Sequence, residues 1–366
     1  MKLLIVYASA GAGHRRAAEA IYESLDDSLK QESSLVDILD FTPSFFKFTY
    51  SKGYIFLISR ISWLWSFFYW LTNLGILSKL INLLRRASNS LMTKRFVCFL
   101  NKNNPQVVLS THFLSSEVLS NLKKRKKIDS FHISIITDYT IHGFWLNDGV
   151  DKFIVGLQFL KDILIKKGIE KDKILDLGIP VDKSFLNLKS RQVAAEITGV
   201  NPNKFTALLV TGAIGLNCLG RIASVLKDNM QTIVICGKNK KLLHSLEKIG
   251  SNNLILYPLV SNMADFLACS DVIITKAGGL TVTESLIAQI PMCFISRIGG
   301  QEAANIEVFT TLGCAFYERR ESAVIQRLLE FSQDPKGLTV LKQNLARYAR
   351  CDANSRIISF LKEHVR

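Results

Sequence analysis

Leu3-Leu4-Ile5-Val6-Tyr7 leads into Ala8-Ser9-Ala10-Gly11-Ala12-Gly13-His14 and then into Arg15-Arg16-Ala17-Ala18-Glu19-Ala20-Ile21. A short apolar run, a small-residue loop and a run of helical period read as strand, turn and helix. Gly11 and Gly13 let the backbone bend and come close to a ligand. A glycine loop that opens a helix leaves free N–H groups at the helix's positive end. His14 starts that helix on the carboxyl side of the strand, where α/β folds bind ligands. An imidazole there suits two roles: general base near neutral pH, or a residue that only caps or packs the helix. The loop falls short of a full GxGxxG pattern, so by itself it leaves the ligand open.

Working outward, the alternation of apolar strand and amphipathic helix occurs twice. Strands are expected at 3–7, 107–110, 134–137 and 152–155, and again at 206–211, 232–236, 254–257, 272–275 and 292–295. This is the pattern of parallel α/β architecture in two Rossmann-like halves. Gly178-Ile179-Pro180-Val181 marks a hinge between them, followed by a polar helix at about 182–199. The expected division is a first domain over 1–181, a second over 182–345, and a basic amphipathic helix over 346–366 able to pack back on the first. A length of 366 residues, 48% of them apolar, suffices for two cores.

The chain carries a formal net charge of +15, which points to an anionic partner, either nucleic acid or an anionic membrane face. The excess is localised. Residues 41–116 contain no Asp or Glu, and they hold Lys47, Lys52, Arg60, Lys79, Arg85, Arg86, Lys94, Arg95 and Lys102. They also hold Trp63, Trp65 and Trp70, three of the four tryptophans. Residues 61–77 are uncharged, at the short limit for a membrane span. A span would put the first strand and the strand at 107–110 on opposite sides of a bilayer, where they could not share a sheet. A buried core helix would explain the apolar content but not the missing acids. An interfacial segment over 41–100, with aromatic rings in the headgroup layer and cations on anionic lipids, explains both. No nucleic-acid module is recognisable, and no nucleic-acid partner is expected. The cysteines are odd in number, seven, without a CxxC pair, and read as buried thiols in a reducing compartment. No signal peptide is expected from the N-terminal residues.

Three further segments carry chemistry. Thr137-Asp138-Tyr139-Thr140-Ile141-His142-Gly143-Phe144-Trp145 follows a strand, placing Asp138 and His142 at its carboxyl end. They can orient a base, bond a sugar or acceptor hydroxyl, or simply cap the strand. Val210-Thr211-Gly212-Ala213-Ile214-Gly215 is the matching glycine loop of the second half, a cradle for diphosphate through its N–H groups. Thr275-Lys276-Ala277-Gly278-Gly279-Leu280-Thr281-Val282-Thr283-Glu284 places a glycine pair before a helix, with Glu284 able to accept both hydroxyls of a ribose or to act as a helix-terminal carboxylate. Gly299-Gly300-Gln301-Glu302-Ala303-Ala304-Asn305 adds polar side chains suited to a hydroxyl-rich ligand.

The loop Ala10-Gly11-Ala12-Gly13-His14, taken with Lys276-Ala277-Gly278-Gly279 and Gln301-Glu302-Ala303-Ala304-Asn305, resembles the monogalactosyldiacylglycerol synthase and processive diacylglycerol glucosyltransferase family, within glycosyltransferase family 28. The likeness extends to Thr137-Asp138, His142 and Trp145, to the segment from Phe153-Ile154-Val155 to Gly178-Ile179-Pro180, and to Ile235-Cys236-Gly237-Lys238. The resemblance implies a GT-B fold: two Rossmann-like domains with parallel sheets facing a central cleft. It implies an inverting transfer of galactose or glucose from UDP-galactose or UDP-glucose to diacylglycerol, the acceptor held by the first domain and the donor by the second. By motif match His14 is the base, supported by Asp138. Glu284 meets the ribose, Gly13, Gly212, Lys276, Gly278, Gly279, Leu280 and Thr281 surround the diphosphate, Val260 lies beside uracil, and Gln301, Glu302 and Asn305 meet the sugar. On the acceptor or membrane side it implies His142, Trp145, Trp63, Trp65, Trp70, Arg60, Arg85 and Arg86. The place implied is the inner face of the cell membrane, as a cytoplasmic peripheral protein.

The sequence contains no DxD, so no metal or other cofactor is expected, helix N-termini and Lys276 holding the leaving charge. The nearest alternative is transfer of GlcNAc from UDP-GlcNAc to a polyprenyl-linked peptidoglycan precursor. A UDP-GlcNAc 2-epimerase would need further carboxylates around the first glycine loop, and a membrane-docked sugar-nucleotide sensor would have no use for His14.

Overall fold

The structure is a computed structural model that describes residues 2–53, 85–211, 218–296 and 300–364. Arg60, Trp63, Trp65, Trp70 and Gly212, with the uncharged stretch 61–77, lie outside the described residues. The chain forms two compact units. The first comprises residues 1–183, 298–301 and 350–366, the second 184–297 and 302–349.

The first unit is built on a six-stranded sheet: β1 (Leu3–Tyr7), β2 (Ser33–Asp37), β3 (Val107–Ser110), β4 (Phe131–Ile135), β5 (Lys152–Val155) and β6 (Ile174–Asp176). Their order is β2-β1-β3-β4-β5-β6, with every pairing parallel. A parallel sheet is covered on both faces, so its central strands are apolar throughout rather than alternating. β1 shows this residue by residue. Leu3 and Ile5 face Ala18 and Ile21 of the helix Ala12–Ser24, together with Ile357, Ile358 and Leu361 of the last helix, Ala353–His364. Leu4 and Val6 face Phe96 and Leu100 of the helix Lys94–Asn103 and Leu114 and Val118 of the helix Phe113–Lys124.

The second unit repeats the plan with β7 (Thr206–Val210), β8 (Gln231–Ile235), β9 (Leu254–Tyr257), β10 (Val272–Thr275), β11 (Met292–Phe294) and β12 (Ala315–Tyr317). Its order is β12-β11-β10-β7-β8-β9, again all parallel. Arg191 grips the edge of this unit: its guanidinium bonds both oxygens of Asp271 at 2.9 Å, and Asp271 also accepts the Thr206 N–H at 2.8 Å.

Several expectations are corrected. The strand expected at 134–137 is Phe131–Ile135. β2, β6 and β12 were not anticipated; all three are sheet edges, where one-sided pairing relaxes the demand for an apolar run. The single polar helix expected after Val181 is two, Lys183–Leu186 and Arg191–Ile197. The basic helix expected over 346–366 is Ala353–His364, preceded by a separate helix, Lys336–Tyr348. All seven cysteines are free, but Cys98 and Cys351 are exposed rather than buried. No helix among the described residues is long and apolar enough to cross a membrane.

The segment from Gly178 to Val181 is fastened within the first unit. Gly178 has a φ of 95°, and a Cβ there would stand 2.7 Å from the Cβ of Ala353. Asn354, 2% exposed, accepts the Val181 N–H at 3.1 Å and donates to the Val181 carbonyl and to Ser24 Oγ, both at 2.9 Å. Asn354→Ala leaves the Val181 N–H and carbonyl buried without partners, and is expected to cost about 2 kcal/mol. The urea midpoint reads this; an unchanged midpoint means these bonds do not hold the last helix in place.

Candidate active site

In each sheet the strand order reverses direction once: between β1 and β3 in the first unit, and between β7 and β10 in the second. Loops leaving the carboxyl ends of strands diverge at such a point and open a crevice. In the first unit those loops bring together His14, Thr111 and His112.

Gly11 caps the helix Ala12–Ser24 with φ 150° and ψ 156°, a conformation that favours glycine, and puts no side chain over the first-turn N–H groups. Asp37, at the end of β2, holds the loop by accepting the Ser9 N–H at 3.3 Å. His14 sits half-buried in the first helical turn, with Nδ1 2.9 Å from the Thr111 carbonyl oxygen and 2.8 Å from Thr137 Oγ1. A carbonyl can only accept, so Nδ1 carries the proton and Nε2 the lone pair. Thr111 in turn donates its hydroxyl to the His14 carbonyl at 2.8 Å. Burial lowers the His14 pKa from 6.5 to about 4, against the opposing bond to Thr111. The result is a neutral imidazole whose orientation and tautomer are both fixed.

The sequence reading missed His112. It is 1% exposed, packs edge-to-face on His14 with ring centroids 4.5 Å apart, and caps the helix Phe113–Lys124 by accepting the Leu114 N–H on Nδ1 at 3.0 Å. Burial, and then the proximity of His14, hold its pKa well below 6.5. A histidine directly after a strand that neighbours the glycine-loop strand was the signal available.

The residues after β4 divide. Asp138 is buried, 8% exposed. His142 caps the short turn Gly143–Trp145 by accepting the Phe144 N–H at 3.2 Å. Trp145 was read with the acceptor- or membrane-side residues, but it is fully buried, its ring 6.4 Å from His14 and 6.1 Å from Phe113. Arg85 is also expected on the acceptor or membrane side. It pairs with the fully buried Glu117, which takes the Asn89 amide at 2.8 Å, and it stacks over Phe144 at 4.1 Å. Arg86 is exposed, as are Lys94 and Arg95.

In the second unit the helix Gly279–Ile287 has Gly278 as its N-cap, without a side-chain cap. Its first internal bond runs from the Val282 N–H to the Gly278 carbonyl at 2.9 Å, so the amides of Gly279, Leu280 and Thr281 stand outside the helical ladder. A Cβ on Gly278 would meet nothing within 4 Å, so space for an anion lies directly against the cap. Lys276 pairs with Glu302 at 2.5 Å, and Glu302 Oε2 is buried without a hydrogen-bond partner among the described residues. Asn305, fully buried, ties the helix Gln301–Thr311 to this loop by donating to the Ala277 carbonyl at 2.9 Å. Glu284 is buried one turn into the helix Gly279–Ile287, and Val260 lies, partly exposed, in the loop that follows β9. Gln301 opens the helix Gln301–Thr311. Among the described residues no group of three or more His, Cys, Asp or Glu could hold a metal ion.

Two all-parallel units, each with a glycine-capped helix at its switch point, are the architecture of the GT-B fold. Solved structures agree on the fold. Acinetobacter baumannii MurG covers 99% of this chain and 100% of its own, at TM-score 0.62 and 15% identity. The glycosyltransferase of kitacinnamycin covers 100% and 99%, at TM-score 0.65 and 14% identity. Residues 14–181 match the monogalactosyldiacylglycerol (MGDG) synthase family, and residues 209–352 match the glycosyltransferase family 28 C-terminal domain. A processive diacylglycerol beta-glucosyltransferase of Bacillus cereus is 26% identical over 354 residues, 93% of this chain and 88% of the relative. The chain thus combines an MGDG synthase domain with a glycosyltransferase family 28 C-terminal domain.

The state of His14 has a pH signature. Its folded pKa lies below the unfolded value, so the neutral imidazole survives as pH falls through 6.5 and is lost only near 4. Between those values the unfolded chain binds the proton first, so folding stability declines as pH falls across this window. The expected acid limb of kcat/KM lies well below 6.5. An acid limb near 6.5 in the wild type would contradict this.

Proposed function

We propose that this protein transfers glucose from UDP-glucose to the hydroxyl of diacylglycerol, with inversion, at the inner face of the cell membrane. The observation that carries the reading is His14, a neutral base of fixed tautomer at the switch point of an MGDG synthase-type domain. The choice of glucose rests on the relatives' names.

In this reading Nε2 of His14 takes the proton of the acceptor hydroxyl as its oxygen attacks C1 of the sugar. The C1–O bond to UDP breaks in the same step, and the sugar changes hand. The diphosphate charge gathers at the amides of Gly279, Leu280 and Thr281, at the positive end of their helix, with Lys276 nearby. No metal is required for that stabilisation. Glu284 takes the ribose hydroxyls, and Glu302, with an open acceptor lone pair, takes a sugar hydroxyl. Asp138 belongs to the acceptor side, close in sequence to Thr137, which holds the base.

Docking on anionic lipid is supported by exposed side chains in the segments that precede and follow residues 54–84 in the sequence. Phe45 is 77% exposed, Phe48 58% and Leu91 54%. Arg86, Lys94, Arg95 and Lys102 are exposed cations in the same acid-free stretch. Apolar side chains entering the interface beside cations near lipid headgroups make up the usual pair of signals for peripheral attachment.

The test is glycolipid formation on diacylglycerol vesicles containing anionic lipid, with UDP-glucose, UDP-galactose and UDP-GlcNAc in turn. Glucosyldiacylglycerol is expected from wild type and none from His14→Ala. Gly278→Ala is the companion variant: its Cβ meets nothing within 4 Å among the described residues, so it should melt like wild type while raising KM for UDP-glucose about tenfold or more. Product from UDP-GlcNAc on a polyprenyl-linked acceptor alone would replace this reading with the peptidoglycan one.

A further inference from the structure

His112 and His14 form a pair with opposite polarity. His14 presents a lone pair on Nε2, because its Nδ1–H is committed to the Thr111 carbonyl. His112 presents the reverse. Its Nδ1 accepts the Leu114 N–H at 3.0 Å, so the ring proton resides on Nε2. No hydrogen bond from that N–H is made among the described residues, and the ring that carries it packs against His14. A donor without a protein partner at such a place is left to bond solvent or a ligand. Its place beside the base names the kind of partner: an oxygen that arrives with the substrate. His112 cannot itself be a second base, since its only lone pair is fixed on the helix amide.

We infer that the Nε2–H of His112 donates a hydrogen bond to an oxygen of the acceptor's glycerol backbone, either the reacting hydroxyl or the neighbouring ester carbonyl. This makes His112 an acceptor-binding residue that holds the glycerol end of the lipid beside His14. Burial keeps the ring neutral across the working pH range, so it remains a donor of one proton in one direction. The inference rests on the proposed transfer to diacylglycerol.

Two substitutions separate the two nitrogens of the ring. Asparagine can set its side-chain oxygen where Nδ1 lies, keeping the cap on Leu114 but losing the distal donor. Glutamine can set its amide nitrogen where Nε2 lies, keeping the donor but losing the cap. His112→Asn is expected to melt like wild type, to raise KM for diacylglycerol about tenfold, and to leave KM for UDP-glucose unchanged. His112→Gln is expected to melt lower yet keep KM for diacylglycerol near that of wild type. A purely structural His112 predicts the opposite ranking, and that ranking, or an unchanged KM in His112→Asn, overturns the inference. Repeating the measurement with a dialkylglycerol, which lacks the ester carbonyl, locates the bond. If the carbonyl is the partner, His112→Asn has no further effect on this acceptor; if the hydroxyl is, KM rises for both acceptors alike. A wild type that glucosylates neither acceptor refutes the proposed function itself, whereas an active wild type with unresponsive variants refutes this inference alone.

Discussion

Thr111 joins three pieces of the first unit through one residue. Its N–H bonds the Val6 carbonyl at 3.0 Å, closing the ladder between β1 and β3. Its hydroxyl bonds the backbone of His14, and its carbonyl takes the His14 ring proton. The sheet, the first helix and the imidazole are therefore in register with one another. The chemistry depends on that register, because a base must be held to within a fraction of an ångström of the proton it removes. The topology supplies it: only where β1 and β3 lie side by side, with chain leaving in opposite directions, do the two loops meet at one edge.

Much of this was legible in the sequence, and the rest was hidden for identifiable reasons. The central strands announced themselves because both of their faces are covered, as Leu3 to Val6 illustrate. The edge strand Ser33–Asp37 did not: it is polar, partners one neighbour, and looks like a loop until the sheet is assembled. The helix expected over the C-terminal residues breaks near Ala349 to Asp352, where the chain passes from one unit to the other. The glycine loops and His14 were visible because phosphate cradles and bases have strong local patterns. Thr111 and His112 were not, since their importance comes from adjacency across the sheet, Thr111 standing 97 residues from His14 and His112 directly after it. The partner of Arg85 was hidden for a related reason. A positive charge in a basic stretch reads as surface, and only the fold reveals Glu117 behind it.

The two units use one architectural device for two purposes. In each, a glycine-capped helix begins where the strand order turns. In the first, the opening turn carries an imidazole that borders a wall of rings, His112, Phe113 and Trp145. In the second, the opening turn is left bare and the nearest side chains are a charged pair, Lys276 and Glu302. On the proposed reading the first arrangement handles a proton next to an oily acceptor, and the second handles a dianion. A low-polarity setting suits a base that must stay neutral, and free amides suit charge that develops during reaction.

The path of the chain through the two units also bears on how the protein is made. The first unit's core needs Ile357, Ile358 and Leu361, which pack with Leu3, Ile5 and Ile21. The whole second unit is synthesised between those two sets of residues. On the ribosome, the second unit can therefore close on itself while the first still lacks one side of its core. The earliest strand to emerge is among the last to be fully covered, and its apolar face waits, through most of translation, for a helix that has not yet been made.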